Sequence, residues 1–205
     1  IISRTRGDVN QNDHKTTTIS LARHIRLSLS YFQVEDYLTC PLKYKYRHIM
    51  RIPVLPHHNL VFGRVLHNTI HFYLRKKLSG KKMTEEELLR EYESRWINEG
   101  FLSREHEEMR KKAGEKAIVR FYRREEDSGR IPRFLEKNFK WQMDDIKFTG
   151  RWDRVDCSEE GAVIIDFKAT EVKDQKEADR KTKDSLQMDL YALSFNKTQD
   201  VPLLE

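Results

Sequence analysis

The stretch Gly150–Lys168, GRWDRVDCSEEGAVIIDFK, constrains the fold most strongly, because it has the pattern of two strands joined by a tight turn. If the turn is centred between residues 159 and 160, antiparallel pairing sets Asp153 opposite Asp166. Side chains alternate between the two faces of a strand, so Asp166 and Lys168 are expected on the same face. Two carboxylates and an ammonium group would then meet on one patch of sheet.

The chemistry of that patch predicts a metal site beside a lysine. Carboxylates held close together repel each other unless a cation lies between them, and their oxygens suit Mg²⁺ or Mn²⁺. A second interpretation is structural: Asp166 and Lys168 could form the solvated end of a strand over Ala162–Lys168, with Asp153 in a turn. The pattern alone leaves both interpretations open.

The composition favours a folded domain with a polyanionic partner. The 205 residues suffice for one large domain, and 39 Lys and Arg against 33 Asp and Glu give a net charge of +6. A basic balance of this kind favours a polyanion without identifying one. No apolar run approaches the roughly 18 residues of a membrane span, so no membrane partner is expected. Cys40 and Cys157 are too few for a disulfide framework, which favours an intracellular, cytoplasmic setting.

The chain divides into a leading segment and one domain. Residues 1–27 are polar and poorly periodic, so they are expected to be a linker or the tail of a preceding domain. The domain is expected over 28–205, with a helical part at about 28–130 and a catalytic sheet core at about 131–205. If Leu204–Glu205 is a vector-derived scar, the domain is truncated at its C-terminus.

A short basic and aromatic segment follows the first predicted helix, Tyr31–Thr39, which Cys40-Pro41 interrupts. In the segment 43–48, KYKYRH, basic residues alternate with aromatic ones. Bases stack on aromatic rings while Lys and Arg contact phosphates, so the pattern suits a nucleic-acid groove. An amphipathic segment with buried tyrosines would have the same pattern, and both interpretations stay open.

A long helix is predicted over about Asn59–Leu78, with Gly63 and His67 on one face. Glycine inside a helix costs about 1 kcal/mol relative to alanine, so Gly63 indicates close packing. His67 is either a structural histidine or a ligand. His67 and His71 form an HxxxH pair, but Asn68 stands where the zinc-protease motif requires glutamate, so that function is excluded.

Two further helices are predicted between residues 80 and 130. Thr84–Glu87 has the capping-box pattern and begins a helix that runs to about Trp96. A second, highly charged helix begins at Ser103 and ends near Gly129, and its charges are expected to form a solvated face. The region therefore has the character of a helical insertion.

The remaining sequence predicts a strand at Arg133–Met143 before the hairpin and a charged linker at Val172–Lys183 after it. The last predicted helix has Leu186, Leu190 and Leu193 on its apolar stripe. Its adjoining face carries Gln187, Tyr191 and Ser194.

In chain order the motifs are CPLKYKY, GRVLH, FLEKNF, GRWDRVD, IIDFK and QMDLY. This series resembles the PD-(D/E)xK nuclease superfamily, and within it the RecB-type nuclease domains of helicase–nucleases and CRISPR-associated exonucleases. The resemblance covers about residues 28–195. It implies an α/β fold with a restriction-endonuclease-like core, in which a mixed central sheet is flanked by helices and carries a helical insertion.

The resemblance also implies roles for individual residues. The metal ligands for Mg²⁺ or Mn²⁺ would be His67, Asp153, Asp166 and the backbone carbonyl of Phe167. Lys168 would be the catalytic lysine, with Gln187 and Tyr191 as the supporting motif on the next helix. Glu136 matches an acidic position on the first core strand.

An iron–sulfur cluster is present in some of these relatives, and only Cys40 matches its first cysteine. The other cluster cysteines would lie farther downstream than this sequence reaches, and Cys157 is not placed to replace them. The sequence as given therefore does not support a cluster.

The expected function is metal-dependent DNA hydrolysis by an exonuclease-type module of a larger helicase–nuclease, acting in DNA repair or recombination. The expected partners are DNA, as single strands or duplex ends, and a helicase domain in the same or a partner polypeptide. The residues expected to contact DNA are Lys43, Lys45, Arg47, Arg64, Arg154 and Tyr191. The alternative is a non-catalytic DNA-binding or protein-interaction module of the same fold. The sequence does not distinguish cleavage at ends from internal cleavage.

Overall fold

The computed structural model describes residues 27–55 and 57–204, and over these it has a mixed sheet flanked by helices, which confirms the predicted fold class. The strands are β1 (Leu27–Leu29), β2 (Phe134–Met143), β3 (Ile146–Cys157) and β4 (Ala162–Ile165). The helices are α1 (Tyr31–Thr39), α2 (Pro41–Tyr44), α3 (His58–Leu78), α4 (Glu85–Ser94), α5 (Arg104–Ser128), α6 (Gln175–Lys183) and α7 (Leu186–Thr198). A π-helical turn, Lys45–Ile49, follows α2.

The predicted leading segment 1–27 lies outside the described residues, except that Leu27 begins β1. Of the predicted terminal scar, Glu205 likewise lies outside them. Within the described part of the chain, none of the helices is long and apolar enough to cross a bilayer.

The strand β3 is the centre of the sheet. It pairs with β2 in antiparallel fashion along nearly all of its length. Its other edge is shared: β1 runs parallel to Ile146–Phe148, and β4 pairs in antiparallel fashion with Arg154–Cys157. Leu203 adds an isolated parallel bridge to Ala162, so the residues after α7 return to the outer side of β4.

The hairpin β3–β4 has the predicted register. Arg154 pairs with Ile165 and Cys157 with Ala162, which centres the turn between residues 159 and 160. One further step along this register brings Asp153 beside Asp166. The strand ends at Ile165, however, and does not continue to Lys168 as predicted, because the backbone amide of Phe167 donates to Asp153 Oδ2 at 3.0 Å instead of joining the ladder.

Local capping signals define the helices of the insertion as predicted. Thr84 and Glu87 form the capping box of α4, with Glu87 N donating to Thr84 Oγ1 at 3.2 Å. Ser103 caps α5, and Gly129 ends it in the left-handed conformation with φ 60°, where glycine avoids the steric cost of a side chain.

Two predictions near the C-terminus are wrong. The predicted linker Val172–Lys183 contains the helix α6, which has no buried residue and is stabilised locally: Asp174 caps it, and Glu177 pairs with Lys181 at 3.0 Å. The buried face of α7 is formed by the face predicted to adjoin the apolar stripe, together with Phe195. Its buried residues are Gln187, Tyr191, Ser194 and Phe195, whereas Leu193 is 39% exposed.

The described residues form two hydrophobic clusters. The helical cluster joins α3, α4 and α5 through Phe62, Val65, Leu66, Tyr73, Leu74, Leu88, Tyr92 and Ile118. The sheet cluster joins the sheet to α7 through Phe139, Trp141, Trp152, Val155, Ala162, Tyr191 and Phe195. The two clusters fix α3 and α7 on the sheet near the end of β4, and this arrangement positions the site described next.

Candidate active site

A cavity of about 1240 Å³ opens where α3, the middle of β3, the end of β4 and α7 come together. Most of the residues predicted for the site line this cavity. They are Arg64 and His67 from α3, Asp153 from β3, Asp166, Phe167 and Lys168 after β4, and Gln187 and Tyr191 from α7. The fold therefore collects side chains that are far apart in the sequence.

His67 reaches the sheet from α3 and contacts Asp153. The distance from His67 Nε2 to Asp153 Oδ1 is 3.2 Å, and both side chains are largely buried. The hydrogen bond to Asp153 raises the pKa of His67, although burial acts in the opposite direction. Burial alone would raise the pKa of Asp153, but the hydrogen bonds with His67 and the Phe167 amide lower it below its ordinary value. Both shifts favour the charged forms of the pair.

Asp166 is the more buried of the two carboxylates, with a side chain 7% exposed. Its Oδ2 is 2.7 Å from Lys168 Nζ, and its Oδ1 accepts a hydrogen bond from Gln187 Nε2 at 2.9 Å. Burial raises the pKa of Asp166, and the nearby charge of Asp153 adds to the rise while Lys168 opposes it. The cavity thus carries two mutually repelling carboxylates, as the hairpin register predicts.

Gln187 connects the lysine, the carboxylate and α7. Its Oε1 accepts from Lys168 Nζ at 2.6 Å, and its Nε2 donates to both Asp166 Oδ1 and the Tyr191 hydroxyl, the latter at 2.8 Å. Burial raises the pKa of Tyr191 to about 12, so this hydroxyl stays protonated at neutral pH. The Gln187 side chain therefore links Tyr191 of α7 to Asp166 and Lys168, which follow β4.

Glu136 lies in the same row of the sheet as Asp153. The pairing of β2 with β3 continues on both sides of Glu136 in the register that sets it opposite Asp153, but Glu136 itself has φ 47° and leaves the ladder. Its carboxylate contacts His71 Nε2 at 3.2 Å, Arg151 Nη2 at 3.3 Å and His67 Nδ1 at 3.7 Å. Glu136 and His71 lie outside the residues that line the cavity, whereas His67 and Arg151, which Glu136 also contacts, line it.

The donor atoms of the cavity suit a hard divalent ion, since carboxylate and carbonyl oxygens with one imidazole are ligands that Mg²⁺ and Mn²⁺ accept. Among the described residues, however, no three His, Cys, Asp or Glu side chains stand in an arrangement that could hold a metal ion. The side chains instead contact His67 and Lys168 as counter-ions. The chemistry of the donor set fits a metal, and its side chains would have to exchange these contacts to bind one.

A model of the PD-(D/E)XK nuclease superfamily matches residues 28–203, which span the sheet, the cavity and the flanking helices. The chain belongs to the PD-(D/E)XK nuclease superfamily. Members of the superfamily are typically nucleases, so the carboxylates and lysine of the cavity lie in a domain of nuclease type. No curated protein matches the chain.

One residue predicted to bind DNA in this PD-(D/E)XK domain is placed elsewhere by the fold. Arg154 is 2% exposed, and its guanidinium donates to Asp156 at 2.6 Å and to Glu125 of α5 at 2.7 Å. A guanidinium enclosed by two carboxylates is not available to a phosphate, so the prediction for Arg154 is wrong. Arg154 was predicted to bind DNA because it follows Asp153 in the sequence, but its contact with Glu125 of α5 depends on the fold.

The basic segment 43–48 has a structural contact that the sequence did not reveal. Asp36 on α1 is buried and contacts Lys43 Nζ at 2.7 Å, Arg47 Nη1 at 3.0 Å and His48 Nε2 at 2.8 Å. Lys43 and Arg47 nevertheless keep side chains 45% and 40% exposed. The segment is therefore neither purely a solvated groove nor a buried amphipathic element.

Three further predicted positions differ in exposure. Lys45 and Arg64 are exposed, and Arg64 lines the cavity. Tyr191 is 6% exposed and its hydroxyl accepts a hydrogen bond from Gln187 Nε2. Its predicted contact with DNA is therefore wrong, because the ring is too buried to stack on a base. Gly63 also lines the cavity, but a Cβ built there would lie 3.7 Å from Ala169 Cβ, an ordinary contact, so the predicted close packing at Gly63 is wrong.

Two residues at the cavity were missed from the sequence. Arg151, two positions before Asp153, lines the cavity and is 50% exposed. Arg110 lies on α5, whose charges were expected to form only a solvated face, yet its side chain is 14% exposed and lines the cavity. The position of Arg151 in the GRWDRVD motif was a usable signal. Nothing local distinguishes Arg110 from the other arginines of its helix.

Proposed function

We propose that this domain hydrolyses phosphodiester bonds in DNA with Mg²⁺ or Mn²⁺. One observation carries the proposal: Asp153, Asp166 and Lys168 line a single cavity, and Lys168 Nζ is 2.7 Å from Asp166. The alternative interpretation of Asp166 and Lys168 as a solvated strand end does not account for a carboxylate that is 7% exposed. Membership of a nuclease superfamily supports the same chemistry.

The proposed metal ligands are His67, Asp153, Asp166 and the carbonyl oxygen of Phe167. A bound divalent ion would polarise the phosphoryl oxygen and lower the pKa of a bound water. Superfamily members generally use Mg²⁺ or Mn²⁺. The mutual repulsion of Asp153 and Asp166, which contributes to the raised pKa of Asp166, supports a site that gains stability from a cation. Glu136 is proposed as an acidic group that keeps His67 oriented, since the distance from His67 Nδ1 to Glu136 Oε1 is 3.7 Å.

Lys168 is the proposed catalytic residue. An ammonium group has three N–H donors, and the contacts with Asp166 and Gln187 occupy two of them. The third can donate to the attacking water or to a phosphate oxygen on which negative charge accumulates. Gln187 acts as a positioning residue, because it fixes both Lys168 and Asp166 from α7.

Exposed basic residues at the cavity and in the segment 43–48 are proposed to bind the DNA backbone. They are Lys43, Lys45, Arg47 and Arg64, together with Arg151 at the cavity. The net charge of +6 supports a sequence-independent phosphate affinity. Single-charge removal at a contacting position should reduce the slope of log affinity against log salt by about 0.9 on duplex or about 0.7 on single strands.

The setting of the domain is a further part of the proposal. The order of the motifs CPLKYKY to QMDLY supports a RecB-type, exonuclease-type module of a larger helicase–nuclease that acts on DNA ends or single strands in repair or recombination. The helicase domain would lie in the same or a partner polypeptide. The low cysteine content supports a cytoplasmic location.

A cleavage assay tests the proposal. Linear and closed circular DNA, each single-stranded and duplex, are incubated with the domain in Mg²⁺, Mn²⁺ or EDTA, and Lys168→Ala serves as the control for contaminating nuclease. The expected result is ion-dependent cleavage of linear DNA that EDTA abolishes, with circular DNA spared. Cleavage of circular DNA would correct the exonuclease assignment alone. DNA binding without cleavage in either ion would show a non-catalytic module.

A further inference from the structure

Arg110 extends from α5 into the cavity that contains the proposed catalytic residues. Its guanidinium carbon lies 4.0 Å from the centroid of the Phe62 ring, which is a close cation–π contact. Its side chain is only 14% exposed although it lies on a highly charged helix. The packing on Phe62 therefore fixes the direction of the guanidinium before any ligand arrives.

The polar contacts of Arg110 are long and replaceable. Its Nη2 donates to Asn59 Oδ1 at 3.3 Å, and its Nη1 donates to Glu171 Oε1 at 3.3 Å. Glu171 has a side chain 85% exposed, and ion pairs with so exposed a carboxylate contribute little stability. Within the described residues, the buried Nε of Arg110 has no hydrogen-bond partner. The guanidinium is therefore well positioned, but its hydrogen-bonding groups have only long contacts or none.

We propose that Arg110 binds a backbone phosphate of the DNA strand in the cavity, and that Glu171 occupies the guanidinium until the phosphate replaces it. The proposal rests on the proposed function and names a binding residue that the catalytic hairpin does not include. A guanidinium presents a planar fork of donors that matches two phosphate oxygens, and such charge-assisted hydrogen bonds are the strong ones. A phosphate contact of this kind positions the strand without reading its sequence.

The chain contains its own matched control on the same helix. Arg104 also pairs with a glutamate, Glu108, with a donor–acceptor distance of 3.1 Å. The Arg104 side chain is 87% exposed and is not among the residues that line the cavity. The two arginines share a helix and each pairs with a glutamate, and they differ in whether the arginine lines the cavity.

The first test measures DNA affinity in EDTA, where no cleavage occurs, with a labelled single-stranded oligonucleotide titrated over a range of salt concentrations. Arg110→Gln should weaken binding about 10-fold at low salt, the size expected for one charged hydrogen-bonding contact. The slope of log affinity against log salt should become shallower by about 0.7. Arg104→Gln should leave both quantities near those of the parent. Arg110→Lys keeps the charge and should retain the salt slope.

The second test addresses Glu171. If Glu171 competes with the phosphate, Glu171→Gln should tighten DNA binding about two- to fivefold, the range of an exposed ion pair. This gain should disappear in the Arg110→Gln background, because the competition requires the guanidinium. Glu108→Gln, the matched removal of a carboxylate, should give no such coupling with Arg104→Gln.

The outcomes separate this inference from the proposed function. A parent that binds and cleaves DNA while Arg110→Gln matches it in affinity and salt slope overturns the role of Arg110 and leaves the nuclease proposal intact. A loss of thermal stability in Arg110→Gln with an unchanged salt slope also overturns it, since Arg110 would then only support Phe62. A parent that neither binds nor cleaves DNA overturns both.

Discussion

Lys168 Nζ lies 2.6 Å from Gln187 Oε1, which joins the residue proposed for catalysis to a helix outside the hairpin. The same glutamine donates to Asp166 Oδ1 at 2.9 Å and to Tyr191. The position of the ammonium group is therefore set by α7 as well as by β4, and the buried face of α7 contributes to the site through hydrogen bonds.

Gln187→Ala should lower kcat with little change in KM, because Gln187 orients the catalytic groups and does not contact substrate in the proposed arrangement. Loss of a supporting residue of this kind typically costs about 10- to 100-fold in metal affinity or activity. Steady-state kinetics on a short linear substrate measures the change. A variant that loses thermal stability while kcat stays at the parent value would show that Gln187 is structural only.

Lys168→Ala should bind metal and DNA like the parent while turnover falls, since its proposed interaction strengthens in the transition state. Calorimetry with Mn²⁺, DNA binding in EDTA and cleavage rates should be measured on the same preparation. Lys176→Ala on α6, which removes an exposed lysine, is the matched control. Cleavage by Lys168→Ala at the parent rate would contradict the assignment of that lysine.

Asp166→Asn should weaken the binding of Mn²⁺ by more than about 10-fold, because even changes in residues that only support ligands cost that much. The amide is nearly the same size as the carboxylate, so the contacts with α7 are disturbed little. Asp174→Asn is the control, since asparagine caps a helix as well as aspartate does and Asp174 caps α6. Equal Mn²⁺ affinity in both variants would exclude Asp166 as a ligand.

The ionised Asp36 carboxylate should stabilise the folded domain at neutral pH and lose this effect in acid. Burial alone would raise its pKa, but the contacts with Lys43, His48 and Arg47 outweigh burial and lower the pKa from 3.8 to about 2. A carboxylate whose folded pKa is lowered stabilises the fold above the unfolded value, and this stability is lost as pH falls towards the folded value. The difference in free energy of unfolding between the parent and Asp36→Asn should shrink as the pH falls from about pH 4 to about pH 2. Urea unfolding at several pH values measures it, and a constant difference throughout would contradict the lowered pKa.

Gly114→Ala should destabilise the domain by about 1–2 kcal/mol, because overpacking a core costs about 1–3 kcal/mol and the helical preference for alanine offsets only about 1 kcal/mol of it. A Cβ at Gly114 would lie 2.7 Å from Tyr92 Cζ, and the Tyr92 ring is fully buried and donates to the carbonyl of Lys111. Gly63→Ala is the contrasting change, because its Cβ has room and alanine is favoured inside helices by about 1 kcal/mol. Urea unfolding should show a lower free energy of unfolding for Gly114→Ala than for the parent, and a higher one for Gly63→Ala.

Features that depend on local signals could be predicted from the sequence. The register of β3 with β4 follows from the turn between residues 159 and 160, and it brings Asp153 and Asp166 together. The start of α4 follows from Thr84, and both ends of α5 follow from Ser103 and Gly129, because capping chemistry operates within one turn of each helix end.

Features that depend on a contact with a distant element could not be predicted from the sequence. Arg154 has the sequence context of a DNA-binding residue, and it is enclosed by Asp156 on its own strand together with Glu125 from the distant helix α5. The buried face of α7 includes Ser194 because its hydroxyl accepts from Trp152 Nε1 at 3.1 Å, a contact that no periodicity reveals. The helix α6 lacks an apolar stripe, so its pattern resembles a linker unless the Asp174 cap is weighed.

The division of the described core into two clusters has a mechanical consequence. His67 follows Val65 and Leu66 of the helical cluster, whereas Asp153 lies beside Trp152 of the sheet cluster, and the two meet at the cavity. A metal ion bound by both residues would add a further connection between the two clusters. Because such an ion would bind the folded domain and not the unfolded chain, the midpoint of thermal unfolding should rise with ion concentration. Removal of the ion with EDTA should broaden the thermal unfolding transition, because the two clusters would then unfold less cooperatively.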